Sequence, residues 1–161
     1  ELKKPFYVVA EWREKEIYKL FTFDFELPVT NKIFANDLEG EAGKLVKDSV
    51  SSNGYARVSD ERSGYLTAGP YAELLAGKYT LRFSVRSDEQ LDMKVNFDIP
   101  GEYGKEKFAE KELTVGELKS NEYKNVDLDF ELTQKQEGVE FRVKSPANST
   151  VKVEFIELLK R

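Results

Sequence analysis

Neither cysteine nor histidine occurs among the 161 residues, and methionine and tryptophan occur once each. The missing thiols and imidazoles exclude the usual zinc centres, disulfides, thiol nucleophiles, His-based triads and imidazole acid–base chemistry. Without cysteine the redox compartment leaves no trace in the chain. Long apolar runs are missing too: none approaches the roughly 18 residues that suggest a membrane span, and no charged-then-apolar segment opens the chain. An excess of positive charge is also lacking. The net charge is −5, with Lys and Arg interspersed among Asp and Glu, so no basic face awaits a phosphate backbone and nucleic acid is not an expected partner.

What the chain has in quantity is period-two alternation, with no long stretch at helical period, and it therefore reads as all-β. Tyr79, Leu81, Phe83 and Val85 alternate with Thr80, Arg82, Ser84 and Arg86, the pattern of a strand with one face on a core and one in water. Further runs are Phe21 to Leu27, Leu91 to Ile99, Val126 to Leu132, Val139 to Val143 and Val151 to Phe155. The apolar phase slips at Ile156, which predicts a bulge or a strand end. Turn signals separate the runs at Ser52-Asn53-Gly54, Gly69-Pro70, Ala76-Gly77, Pro100-Gly101, Glu137-Gly138 and around Pro146. This spacing predicts an antiparallel β-sandwich or jelly roll. Its expected core is Tyr79, Leu81, Phe83, Val85, Phe97, Leu128, Phe130, Phe141, Val143 and Val153. Residues 1–32 read as a leading β-hairpin, 6–12 against 17–27, with a connector, and residues 33–161 as the sandwich. A helix over 37–46 is disfavoured by Gly40 and Gly43.

Four landmarks follow one another after the connector: Ile33-Phe34-Ala35-Asn36-Asp37-Leu38; the small-residue segment around Asn53-Gly54; the run from Gly69-Pro70-Tyr71 to Gly77-Lys78-Tyr79; and the closing strands around Val139 to Val143 and 151–158. In this order they resemble the galactose-binding-like jelly rolls of carbohydrate-binding modules, families 6 and 35 especially. The resemblance spans residues 33–161. It implies a non-catalytic, glycan-binding accessory module in an extracytoplasmic or membrane-anchored protein. The alternative is a structural or protein-interaction sandwich with no sugar ligand. Because the chain opens on Glu1, it is expected to be excised from a longer parent protein, and its 34% of charged residues leans towards a thermophile. Related modules commonly hold structural calcium between an early carboxylate and one on the last strand. The resemblance therefore implies calcium at Asn36, Asp37 and Glu154, although Phe34 and Asn36 stand where the family has acidic residues. The competing reading makes Asp37 a turn cap and Glu154 a solvated strand residue.

Sugar recognition needs an aromatic ring against the apolar face of a pyranose and polar groups for its hydroxyls. Tyr55, Tyr65, Tyr71 and Tyr103 fall in or beside turns, and Arg57 and Arg62 lie close in sequence. By resemblance, Asn148 occupies a loop position where related modules place a sugar-contacting Asn. Tyr55, Tyr103 and Asn148 are the expected contacts, and a neutral or acidic glycan the expected ligand. Tyr71 and Tyr79 are expected to fill the edge of the core. Asn148-Ser149-Thr150 is also an N-glycosylation sequon, and a glycosylated Asn148 would not contact a ligand. Asp127, Asp129 and Glu131 sit on the polar face of a strand, and neither a Gly-x-Ser-x-Gly elbow nor a phosphate loop occurs, so no catalytic residue is expected.

Overall fold

The computed structural model describes residues 6–8, 21–23 and 31–161, and the chain divides into two compact units, Glu1–Thr30 and Asn31–Arg161. In the first unit β1 (Phe6–Val8) pairs antiparallel with β2 (Phe21–Phe23), Tyr7 opposite Thr22. Trp12 and the rest of the expected hairpin lie outside the described residues.

The second unit contains β3 (Asn31–Phe34), β4 (Lys44–Lys47), β5 (Tyr55–Val58), β6 (Gly64–Thr67), β7 (Ala72–Leu74), β8 (Gly77–Ser87) and β9 (Lys94–Gly101). It continues with β10 (Glu106–Thr114), β11 (Lys124–Leu132), β12 (Gln136–Val139), β13 (Arg142–Ser145) and β14 (Val151–Lys160). One sheet runs β11-β8-β14-β5-β4, with β3 also on β14, and the other runs β10-β9-β13-β6. A separate ribbon joins β7 to β12. These strand pairings are all antiparallel, as the short turns between alternating runs require. The unit is thus an antiparallel β-sandwich.

Alternation builds the core. On β11, Val126, Leu128, Phe130 and Leu132 are buried while the residues between them are exposed. Phe83 of β8 meets Phe97 of β9 across the two sheets, ring centroids 5.3 Å apart, and Phe130 stacks on Tyr79 at 5.4 Å. All ten expected core residues are buried. The hydroxyl of Tyr79 stays satisfied by donating to the Leu75 carbonyl at 2.8 Å.

Three local expectations are corrected, and a fourth, the slip near Ile156, is borne out as a bulge. The polar face of β8 is largely withdrawn from water: Thr80, Ser84 and Arg86 are buried. Asp129 of β11 takes the Thr80 hydroxyl at 2.6 Å, and the loop between β4 and β5 brings Asp48 to Arg86 at 3.0 Å. The run Val139 to Val143 is two strands rather than one. Between them the Glu140 N–H turns to the Pro100 carbonyl and the Phe141 N–H to that of Gly69, which carries the chain from ribbon to sheet. Glu137-Gly138 is not a turn but lies within β12, where the register shifts and Gly138 has a φ of 63°. The slip read at Ile156 is a bulge between Val153 and Phe155 that faces Glu154 away from the core. Residues 37–46 hold no helix; a single 3-10 turn, Ala35–Asp37, precedes β4.

Candidate functional site

The three expected contacts do not form one site. Tyr103 follows the C-terminal end of β9, whereas Asn148 follows β13, whose Lys144 pairs with Asn96 near the start of β9. They therefore stand beyond opposite ends of the same sheet. Tyr55 lies on β5 opposite Lys47 and is partly exposed. Asn148 is exposed, with a φ of 54° that asparagine tolerates well, and its N–H donates to the Asp60 carbonyl at 3.1 Å. The arginines are committed elsewhere. Arg57 donates to the carbonyls of Leu66, Leu38 and Ala42, Arg62 pairs with Asp60 at 2.8 Å, and Tyr65 lies under the Arg142 guanidinium at 4.6 Å.

Tyr103 has a different companion. Tyr71, expected at the core edge, is 57% exposed and stacks on Tyr103, itself 69% exposed. Their ring centroids are 6.1 Å apart and their planes 24° from parallel. Three segments build this ridge: the β6–β7 loop carries Tyr71, the 3-10 turn Glu102–Gly104 carries Tyr103, and β12 supplies Gly138. A Cβ on Gly138 would lie 2.9–3.0 Å from carbons of the Tyr103 ring, so only glycine lets the ring rest there. Tyr71, Glu102 and Tyr103 all have left-handed φ values, 59°, 47° and 56°. Such a conformation costs about 1–2 kcal/mol per non-glycine residue, and strain of this kind gathers where a site holds side chains in place. One signal for Tyr71 was present in the sequence: it shares parity with exposed Glu73, not with buried Leu74.

Each ring walls a concavity. One of about 250 Å³, beside Tyr71, is lined by Ile33, Asp37, Leu38, Glu39 and Pro70 among others. The other, about 350 Å³ beside Tyr103, includes Glu102, Lys105, Lys135, Gln136 and Glu137. Asp37, expected at a metal, thus belongs to the ridge.

The other two residues expected at calcium are engaged within the protein. Both oxygens of the buried Glu154 carboxylate already accept hydrogen bonds, from the Ser52 N–H at 2.7 Å and the Ser84 hydroxyl at 2.6 Å. The Asn36 Oδ1 accepts from the Asn53 side-chain amide at 2.9 Å. In this arrangement N–H and O–H donors occupy one acceptor site on each of these oxygens. Among the described residues no group of three or more carboxylates converges as a metal site. Glu154 is not a solvated strand residue either; it anchors the β4–β5 loop.

Comparison with known proteins places this geometry in a fold. Neither a family model nor a curated protein sequence matches the chain. Among solved structures, it is similar to the C-terminal family 6 carbohydrate-binding module of the laminarinase LamC from Zobellia galactanivorans, at 16% identity and a TM-score of 0.59, covering 81% of this chain and 99% of that one. It is also similar to the family 6 module CBM6cm-2 of Cellvibrio mixtus lichenase 5A, in complex with cellotriose, at 9% identity and a TM-score of 0.59, covering 83% and 99%. A third likeness, at 9% identity and a TM-score of 0.54, is to the CBM22-1–GH10 modules of Clostridium thermocellum xylanase 10B, covering 82% of this chain and 28% of that one. The second unit therefore has the jelly-roll β-sandwich fold seen in these carbohydrate-binding modules.

Proposed function

We propose that the chain is a non-catalytic, carbohydrate-binding accessory module of a larger extracytoplasmic protein that handles glycans, and that its ligand lies on the Tyr71–Tyr103 ridge. The observation that carries this reading is the ridge itself: two exposed rings, nearly parallel, with Tyr103 seated on Gly138 and each ring beside a concavity that carries both apolar and charged side chains. Exposed rings ringed by amides and carboxylates suit the apolar faces and hydroxyls of sugars.

No helix among the described residues is long and apolar enough to cross a membrane.

The test is a titration of the chain with mono- and oligosaccharides, following backbone amide shifts by NMR. The expected dissociation constant is roughly 10 μM to 1 mM, since few groups immobilise a flexible sugar. Shifts should centre on residues 69–72, 101–105 and 136–139 and vanish in Tyr103→Ala. Silence across the panel at millimolar concentration would leave a structural or protein-interaction domain.

A further inference from the structure

We infer, building on that reading, that the ridge recognises the interior of an extended, uncharged glycan chain, with one sugar unit over the rings and one in the concavity on each side. Tyr71 walls one hollow and Tyr103 the other, so the two stacked rings form a divide rather than the floor of a single pocket. One hollow lies just below and the other near the low end of the size of a small-molecule pocket, about 300–1,000 Å³, enough for one sugar ring and not for a folded oligosaccharide. A free monosaccharide therefore reaches one hollow or one ring. A chain laid across the divide reaches both hollows and both rings, and its second and third contacts add without a second loss of translational freedom.

The charges choose among chains. Among the described residues that line it, the hollow beside Tyr71 presents Asp37 and Glu39 and no Lys or Arg. In the other hollow Lys135 is already held by Glu73 at 2.8 Å and Glu137 at 3.4 Å, which leaves Lys105 against Glu102. A uronate or sulfate in the first hollow would face two carboxylates, and the nearby Arg57 guanidinium is already committed to the carbonyls of Leu66, Leu38 and Ala42. Hydroxyls meet acceptors in the first hollow and the amides of Gln134 and Gln136 in the second.

The experiment compares dissociation constants, by calorimetry and NMR, for cello- and xylo-oligosaccharides of one to six units and for oligogalacturonides of matched length. The expected result is at least a tenfold gain in affinity from one unit to three in a neutral series, with little further gain beyond four. Tyr71→Ala and Tyr103→Ala should each erase that gain while circular dichroism and melting remain those of the parent chain. Oligogalacturonides should bind at least fivefold more weakly at low salt, the gap narrowing at 0.5 M NaCl as the carboxylates are screened. Equal affinity for one unit and three, or tighter binding of the galacturonides, would overturn the inference and leave a glycan-binding module standing. So would saccharide shifts confined to residues around Asn148. Absence of binding by every saccharide would overturn both this inference and the function on which it rests.

Discussion

Asp48 holds four groups at once. It accepts from the Val50 N–H at 2.9 Å, from Arg86 and from the Tyr123 hydroxyl at 3.0 Å each, and it lies 3.8 Å from Lys152. Burial pushes its carboxyl up, but the Val50 N–H, the Arg86 guanidinium and the Tyr123 hydroxyl together bring it below the ordinary 3.8. The same contact, after burial, pushes the Tyr123 phenol up. At Asp60 the Arg62 side chain is the leading cause, and it draws the carboxyl down to about 2. Both carboxyls have folded values below their unfolded ones, so both contribute stability that is complete above about pH 4. That contribution is lost as the pH falls through the folded values, for Asp60 between 3.8 and about 2. Asp48→Asn keeps the shape and removes the charge facing Arg86. It should lower stability at pH 7 by about 2–3 kcal/mol, the scale of a hydrogen bond to a charged group, and should flatten the acid limb of the stability–pH curve. Urea unfolding of both proteins at pH 7 and pH 3 checks this; parallel curves would show that Asp48 remains an ordinary carboxyl in the fold.

Strands were legible where a single physical exchange, core against water, decides each position. β11 is the plain case, buried and exposed residues alternating along its length. β8 was half legible. Its apolar face reads directly, yet part of its polar face meets a loop whose Ser52 bonds Glu154 across 102 positions of sequence, a pairing that no local pattern encodes. The bulges were legible as disturbances and not as geometry: the slip near Ile156 and the Gly138 signal both marked real irregularities, but which residue each would re-aim depends on the partner strand. β12 offers the test at this scale. Gly138→Ala places a Cβ within 2.9–3.0 Å of the Tyr103 ring at a φ of 63°, so the ring has to leave its seat. The expected cost in stability is about 1–2 kcal/mol, from the left-handed backbone. The larger effect should fall on saccharide binding, weakened at least as much as in Tyr103→Ala. Unchanged affinity would show that the ring needs no support from β12.

At the scale of the whole second unit, the sequence contained the fold and the members of the site but not their grouping. Tyr103 and Asn148 lie 45 positions apart on loops of similar composition, and only the antiparallel course of β9 and β13 puts them at opposite ends. The early Asn36-Asp37 motif splits likewise, Asn36 bonding Asn53 and Asp37 lining the hollow beside Tyr71. Two consequences are open to measurement. Because Ser52 and Ser84 already satisfy Glu154, millimolar calcium and a chelator should leave the melting temperature where it is; a rise with calcium would mean that the ion displaces those donors, since binding to the native state alone must stabilise it. The separation of the two ends also removes the conflict between a sequon and a ligand. Asn148 is exposed beyond the end of β13, so a glycan attached there would project from the end opposite the ridge. Chain carrying an N-glycan at Asn148, confirmed by mass spectrometry, should bind oligosaccharides with the same affinity as Asn148→Gln within twofold. A tenfold or greater loss in the glycosylated chain would place the ligand at the Asn148 end, because steric occlusion acts only over the reach of the attached sugar.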